Sequence, residues 1–203
     1  MERHRPAALE RIAPLAVEQD GFVTAAQAAQ VGVDYARLAR LVDGDLLERV
    51  EHGVYRVTAG VPTIPRAPES LYIKYLALDG KRLPWMDRGE PRVVVSHESA
   101  AYVLGIGTLP ADIATFTSSK RRETTISAAK IKVGPLEAVD WTYLFDGRLP
   151  ATTAARTIVD LALAGVGRDY VERALSDALH KRLSTRDEVG AMLDRRRRSA
   201  RCW

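Results

Sequence analysis

The chain has 203 residues, of which 46% are hydrophobic and 28% charged, with 30 lysines and arginines against 26 aspartates and glutamates. This composition is typical of a folded globular protein and excludes disordered, collagen-like and disulfide-stapled chains. The sequence contains no run of about 18 apolar residues, the length that a membrane span needs. The first residues also lack the apolar core of a signal peptide. The single cysteine, Cys202, excludes internal disulfides and cysteine-cluster zinc sites. We therefore expect a cytoplasmic protein with no metal, no cofactor and no membrane partner.

The charge is distributed unevenly along the chain. Residues 1–65 carry seven arginines and nine acidic residues, a net charge of −2, and the remaining residues carry a net charge of +6. The basic excess lies in two places: Lys120, Arg121, Arg122, Lys130 and Lys132, and the C-terminal run Arg195, Arg196, Arg197, Arg198 and Arg201. Such patches attract polyanions by neutralising phosphates and releasing counterions. The alternative interpretation is a solvated surface or tail.

The first 60 residues show the pattern of three helices followed by a hairpin. Apolar residues at helical spacing predict a first helix over 7–18. Thr24 and Asp34 are good N-caps for two short helices, AAQAAQV and YARLARLVD, which end at Gly32 and Gly44. The alternating segments LLERV and VYRV then predict two strands joined by a tight turn that contains glycine. This order predicts a winged helix-turn-helix domain over residues 1–62.

A proline-rich segment, residues 61–68, predicts a linker to a second domain over residues 63–203. Helices are predicted at 69–78, 97–105, 153–164, 169–181 and 185–196, and strands at 92–95, 114–117, 125–127, 130–133 and 140–143. The predicted fold class is α+β, a winged helix-turn-helix followed by a mixed α/β domain. Within the second domain, Arg156 has the i, i+4 spacing that allows an ion pair with Asp160.

The helix YARLARLVD is the candidate recognition helix. Leu38, Leu41 and Val42 share one face and are expected to pack on the other helices. Arg37 and Arg40 turn the other way beside alanines, so that either guanidinium can donate two hydrogen bonds to guanine O6 and N7, a contact worth about 1–3 kcal/mol of discrimination. Tyr35 is placed to reach a phosphate or a base edge.

Further DNA contacts are expected from the neighbouring elements. Thr24 and Gln27 lie near the N-terminus of the preceding helix, where amide dipoles favour phosphate. His52 lies at the tip of the predicted wing, flanked by Arg49 and Arg56. The alternative is a protein-contact module, in which the two wing arginines pair with neighbouring glutamates.

The segment TAAQAAQVGVDYARLARLVDGDLLERVEHGVYRV resembles the N-terminal domain of the AbiEi-type antitoxins of bacterial toxin–antitoxin systems. The blocks VVVSHESAAYVLGIGTLP, ATFTSSKRR and LPATTAARTIVDLA resemble later blocks of the same family, in the same order. The resemblance implies a winged helix that binds inverted repeats in its own promoter and represses transcription, and a second domain that neutralises a nucleotidyltransferase-like toxin. Carried onto matching positions, it implies the DNA contacts Thr24, Gln27, Tyr35, Arg37, Arg40, Arg49, His52 and Arg56. Glu51 departs from the more basic wings of related proteins.

No catalytic constellation is recognised in the sequence. No glutamate is followed two residues later by the lysine of a metal-dependent nuclease, and the four histidines are scattered. Ser96 and His97 suggest a catalytic pair, but helix capping by Ser96 explains the pattern more simply. We therefore expect a non-enzymatic protein. Two alternatives to the antitoxin remain open: a winged-helix regulator whose second domain binds a ligand or dimerises, with no toxin partner, and an adaptor that uses the winged unit for protein contacts.

Overall fold

The computed structural model describes residues 7–58, 66–86 and 89–200, which form two compact units, one ending at Pro91 and the other beginning at Arg92. The first unit contains α1 (Ala7–Glu18), β1 (Phe22–Thr24), α2 (Ala25–Gln30), α3 (Tyr35–Asp43), β2 (Leu47–Glu51), β3 (Val54–Val57) and α4 (Glu69–Asp79). The predicted α+β class, a winged helix followed by a mixed α/β domain, is confirmed.

The three N-terminal helices begin at the residues that the sequence indicates, and α2 ends at Gln30, one residue earlier than predicted. The hydroxyl of Thr24 accepts a hydrogen bond from the Gln27 amide at 3.2 Å, and the Asp34 carboxylate accepts one from the Arg37 amide at 2.8 Å. Helix α3 ends at Gly44. The core between the helices is formed by fully enclosed side chains, including Ile12 and Leu15. Burying each such side chain contributes about 1.5–3 kcal/mol.

The wing belongs to a three-stranded antiparallel sheet with the order β1-β3-β2. The third strand, β1, was not predicted. Gly53, with φ of +72°, makes the tight turn at the tip, a backbone conformation that residues with a Cβ rarely adopt. Helix α4 covers the sheet, with the rings of Phe22 and Tyr72 meeting edge to face at 6.0 Å.

Helix α4, which was expected to open the second domain, therefore packs within the first unit. The expected linker, residues 61–68, lies mostly outside the described residues, which omit 59–65. The packing of α4 places the division between the units after Pro91. The assignment of separate functions to residues 1–62 and 63–203 stays a prediction.

The second unit is a five-stranded mixed sheet covered by helices. It contains β4 (Val94–Val95), α5 (His97–Leu104), β5 (Ala114–Ser118), β6 (Ala129–Val133), a 3-10 turn (Ala138–Asp140), β7 (Trp141–Leu144), β8 (Leu149–Thr152), α6 (Ala154–Leu163), α7 (Arg168–His180) and α8 (Arg186–Ala200). The strand order is β6-β5-β4-β8-β7, with the β4–β8 and β5–β6 pairs parallel.

Helix α6 is the centre of the second unit's packing. Ile158 and Leu161 pack with residues of α5 and α7, and Ala155 and Val159 pack with Met192 of α8. Helices on both sides leave the first eight residues of α6 buried. This enclosure includes Arg156 and Asp160, two charged residues of that helix.

The strands differ from the prediction at two places. Residues 125–127 form no strand, and the Ile126 amide donates to the Thr124 hydroxyl at 3.1 Å rather than to a neighbouring strand. Strand β8 was missed because Pro150, which has no N–H to donate, argues against a strand between two others. The helix predicted from residue 153 begins one residue later, with Thr153 as its N-cap.

Helix α8 opens with a capping box formed by Thr185 and Glu188. The Glu188 amide donates to the Thr185 hydroxyl at 3.2 Å, and the Thr185 amide donates to the Glu188 carboxylate at 2.8 Å. This helix has 15 residues and is rich in arginine. Within the ranges that the structure describes, no helix combines the length and the apolar character needed to cross a membrane.

Candidate nucleic-acid interface

Helix α3 presents a polar face to solvent, opposite its buried leucines. Leu38 and Leu41 are 1% and 4% exposed, whereas Tyr35 is 66% exposed. Arg37 and Arg40 are also exposed. Two guanidiniums and a phenol separated by small residues form a surface that can approach base edges in a major groove.

The two arginines of α3 differ in how they are held. Arg37 Nη1 donates to the Gly32 carbonyl at 2.9 Å and lies 3.7 Å from the Asp34 carboxylate. The Arg40 side chain forms no ion pair or hydrogen bond within the described part of the chain. A base contact by Arg40 therefore breaks no internal contact, whereas Arg37 is fixed beside the turn between α2 and α3.

The wing tip contains two of the predicted residues in mutual contact. Arg49 Nη2 lies 3.1 Å from His52 Nδ1, and both side chains are exposed. The Glu51 carboxylate accepts a hydrogen bond from the His52 amide at 2.8 Å. The glutamate therefore orders the turn, and the histidine and arginine form its polar surface.

Arg56 is held differently from the other two predicted wing residues, Arg49 and His52. It forms an ion pair with Glu69 of α4, lies 3.9 Å from the Glu48 carboxylate, and its guanidinium lies 5.3 Å from the Phe22 ring centroid. These contacts hold it between the sheet and α4. The structure gives Arg56 a stabilising role there, and we do not retain it as a DNA contact.

Thr24 and Gln27 are enclosed by the segment that follows α4. They are 4% and 1% exposed. Thr24 Oγ1 donates to the Gly80 carbonyl, and Gln27 Nε2 donates to the Arg82 carbonyl at 2.6 Å and exchanges hydrogen bonds with Gln19 at 2.9 Å. Neither side chain is free to reach a phosphate in this structure, so the expected contacts by these two residues are not retained.

Tyr55, which sequence reasoning did not select, connects the recognition helix to the wing. Its ring is 3% exposed, and burial raises the pKa of its phenol, opposed by the nearby Arg49 and reinforced by Tyr35. Tyr35 of α3 and Arg49 of β2 are therefore both near enough to influence the Tyr55 phenol. The proximity of Tyr55 to α3 is a tertiary contact, which the sequence pattern does not show.

Only some residues of the first basic patch, which comprises Lys120, Arg121, Arg122, Lys130 and Lys132, form internal ion pairs. Lys120 and Arg121 are exposed, and Arg121 lies 3.8 Å from the Glu123 carboxylate in a pair that is itself exposed. Arg122 and Lys132 are half-buried. Lys130 lies 3.7 Å from the Glu98 carboxylate. Phosphate contacts by this patch stay a prediction.

The C-terminal arginine run divides into an inward pair and an outward pair. Arg195 pairs with Asp140 and with Glu137 at 3.3 Å, and Arg196 lies 3.6 Å from the Asp160 carboxylate. These contacts tie α8 to the body of the second unit. Arg197 and Arg198 are exposed on the same helix. Arg201 lies outside the described residues.

The inward pair completes a buried ion network centred on Arg156. Arg156 Nε lies 2.9 Å from both carboxylate oxygens of Asp160, which confirms the predicted pair. Its Nη1 lies 2.8 Å from the Asp140 carboxylate and 3.0 Å from the Pro135 carbonyl. The side chains of Arg156 and the two aspartates are 1–3% exposed. Such a network is stable only when each charge has partners, because the desolvation cost of every ion is large.

His97 is a buried neutral imidazole at the start of α5, and the expected helix cap by the Ser96 side chain is wrong, because its hydroxyl makes no capping hydrogen bond. Burial lowers its pKa to about 4; Asp160 and Glu98 oppose this effect, and Lys132 and Arg156 reinforce it. Its Nδ1 lies 3.0 Å from the hydroxyl of Ser96, which in turn lies 2.8 Å from the Thr117 hydroxyl. Ser96 is fully buried. Among the described residues, no three histidine, cysteine, aspartate or glutamate side chains group as a metal site.

Comparison with known proteins supports both the fold and the resemblance. The crystal structure of the RV2827C protein from Mycobacterium tuberculosis aligns with 96% of this chain and 74% of its own, with a TM-score of 0.58 and 18% sequence identity, which is a similarity of fold. No curated protein matches the chain. Residues 10–58, which include α2, α3 and the wing, match the family described as "Transcriptional regulator, AbiEi antitoxin", and the resemblance seen in the sequence is confirmed for this segment.

Proposed function

We propose that the chain is an antitoxin that binds inverted repeats in its own promoter through the winged unit, represses transcription and neutralises a nucleotidyltransferase-like toxin. The observation that carries the DNA-binding part is the exposed face of α3, where Arg40 has no internal side-chain partner among the described residues, within the segment that matches AbiEi regulators. The toxin-directed part rests on the family description alone.

The proposed contacts follow from exposure and connectivity. Arg37, in the first turn of α3, and Arg40, in its last turn, donate to guanine edges, and Tyr35 contacts the phosphate backbone. Arg49 and His52 contact the flanking phosphates from the wing. Side chains already enclosed within the first unit make no DNA contact in this proposal.

The second unit adds attraction that does not depend on base sequence. The first 65 residues carry a net charge of −2, so the winged unit depends on basic residues elsewhere to offset the repulsion of a polyanion. In this proposal the basic residues of both patches contact phosphates, except for the inward Arg195 and Arg196 of α8. Four of these residues are exposed, Lys120, Arg121, Arg197 and Arg198, and three are half-buried, Arg122, Lys130 and Lys132.

The DNA-binding part is tested with Arg40→Ala on the gene's own upstream DNA. We expect a loss of about 1–3 kcal/mol in operator binding, measured by fluorescence anisotropy, which is roughly a 5- to 150-fold rise in Kd. Binding to unrelated DNA falls only slightly, because one positive charge is lost. Thermal stability stays unchanged, since the side chain is exposed.

The matched control is Arg173→Ala, which removes the same charge from an exposed helical position in the second unit. Operator affinity for this variant stays near that of the wild type. If the two variants lose the same operator affinity, Arg40 contributes only its positive charge. That result contradicts base recognition by α3.

The toxin-directed part is tested by co-expression with the product of the adjacent gene, scoring growth rescue and co-purification together. Arg40→Ala is expected to retain rescue while losing repression. Operator binding without rescue identifies a plain winged-helix regulator with a ligand-binding or dimerising second domain. Absence of DNA binding with retained co-purification identifies an adaptor.

A further inference from the structure

Gly134, the residue that follows β6, lies beside two guanidinium groups. A Cβ atom at this position would be 3.7 Å from Arg196 Nη2, 3.7 Å from the Thr117 methyl carbon and 4.0 Å from Arg156 Nη2. These are ordinary van der Waals distances, so the position has room for an atom next to both arginines. An oxygen atom that lay up to about 1 Å closer than this Cβ to Arg196 Nη2 and Arg156 Nη2 would be within hydrogen-bond distance of both nitrogens.

Arg156 is a fixed, buried donor at this position. Its Nε and Nη1 atoms are held by Asp160, Asp140 and the Pro135 carbonyl, and the side chain is 1% exposed. Nη2 is the guanidinium nitrogen that faces Gly134. The two aspartates therefore fix the plane of the Arg156 guanidinium, and its remaining nitrogen, Nη2, points toward Gly134.

Arg196 is a second donor whose internal contacts are incomplete. Its Nε is buried and has no hydrogen-bond partner among the described residues, and its nearest carboxylate oxygen, on Asp160, is 3.6 Å away. Burial and the charge of Arg156 lower the pKa of Arg196. Asp160 is already engaged by two hydrogen bonds from Arg156, so it compensates Arg196 only in part.

The surrounding charges favour an anion rather than a cation. Three arginines face three carboxylates, those of the buried Asp140 and Asp160 and of the exposed Glu137, and the half-buried Lys132, on the strand that leads to Gly134, adds a further positive charge. The Gly134 amide donates to the Ser118 carbonyl at 3.0 Å, so the backbone offers no donor there and the two guanidiniums carry the recognition.

We propose that Arg156 and Arg196 form a phosphate-binding subsite over Gly134, which takes inorganic phosphate or the phosphate of a small monoester. Planar guanidiniums match the geometry of phosphate oxygens, and charge-assisted hydrogen bonds are the stronger kind. Arg156 is too enclosed for the backbone of a duplex, so the ligand is small. The bound anion bridges α6 and α8. This site belongs to the second unit, and its proposal does not rest on DNA binding.

The test uses the full chain and the substitution Gly134→Ala. Alanine is sterically accommodated, because Gly134 has no positive φ and its Cβ makes no close contact, but the added methyl occupies the position of the phosphate oxygen. The control is Gly190→Ala on α8, where a Cβ meets nothing within 4 Å. Binding is measured by calorimetric titration with sodium phosphate, and thermal melting is compared with sodium chloride at equal ionic strength.

For the wild type and the Gly190→Ala control, we expect phosphate at ten times its Kd to raise the melting temperature by about 3 °C more than chloride does. Gly134→Ala melts normally in chloride and loses this response. Arg196→Gln, which removes one charged donor, weakens phosphate binding by about tenfold or more. Titration with adenosine monophosphate separates the sources: binding of inorganic phosphate alone identifies a free anion, and tighter binding of the nucleotide identifies a phosphate ester.

Two outcomes overturn the proposal. A wild-type chain that responds equally to phosphate and chloride has no phosphate subsite. A Gly134→Ala variant that binds phosphate as the wild type does places the anion elsewhere. Neither outcome bears on operator binding, which the Arg40→Ala experiment tests separately.

Discussion

Removing Arg156 is the perturbation whose cost the structure defines best. Arg156→Met keeps a long apolar stem and removes the guanidinium, so that Asp140 and Asp160 lose their central partner while 3% or less exposed. Asp160 loses two hydrogen bonds of 2.9 Å and Asp140 loses one contact of 2.8 Å. Arg195 still pairs with Asp140, so the carboxylate left short of partners is that of Asp160, which keeps only Arg196 at 3.6 Å. Breaking a buried ion pair from one side costs about 3–5 kcal/mol when the remaining charge is not compensated.

The assay is urea unfolding followed by tryptophan fluorescence. Trp141 directly follows Asp140, so a background with Trp85→Phe and Trp203→Phe reports on the second unit alone. We expect the free energy of unfolding of the second unit to fall by about 3–5 kcal/mol, with the largest part regained when Asp160→Asn is added, because the uncompensated charge is then removed.

The chain contains a matched exposed pair for comparison. Arg168 and Glu172 have the same i, i+4 spacing and an Nε–carboxylate distance of 2.6 Å, but their side chains are 87% and 58% exposed. Arg168→Met is expected to leave the unfolding transition unchanged, because water replaces the lost partner. If Arg156→Met costs no more than Arg168→Met, the network does not hold the second unit together and our reasoning from burial is wrong.

Two further predictions concern acid stability and the arginine run. The folded pKa of His97, about 4, lies below the ordinary value of 6.5, so the unfolded chain takes up a proton first and the free energy of unfolding falls by up to about 3 kcal/mol as the pH drops from 6.5 to 4. His97→Asn, which tolerates the φ of +52° at this position, is expected to flatten that part of a pH-dependent urea series, and an unchanged slope refutes the assignment. Arg197→Gln with Arg198→Gln is expected to weaken binding to all DNA sequences alike and to reduce the slope of log K against log salt by up to about 2, measured by anisotropy, whereas an unchanged slope shows a solvated helix end.

The winged unit was predictable because its signals are local. Thr24, Asp34 and Gly44 mark helix ends by their own backbone preferences, and the spacing of Leu38 and Leu41 determines which face of α3 is buried. The exposed positions of α3 follow from the same periodicity. These features depend on residues within one or two turns of each other.

The errors that concern the candidate site and the buried ion network involve contacts between distant segments. The N-cap at Thr24 was predicted, but not its enclosure by the turn after α4, which removes it from the candidate interface. The pair of Arg156 with Asp160 was visible as i, i+4 spacing, whereas its junction with Asp140 and with α8 depends on how the helices pack. The four consecutive arginines 195–198 are likewise indistinguishable in the sequence. Only the position of each on helix α8 shows that two of them face the second unit's interior.

The central claim, that α3 enters a major groove with Arg40 at a guanine edge, is tested most directly by guanine N7 methylation protection on the upstream DNA. The account predicts that the wild type protects a guanine in each repeat, and that Arg40→Ala loses this protection while phosphate contacts on either side persist. Unchanged N7 protection by Arg40→Ala, at concentrations where both proteins saturate the site, contradicts the account.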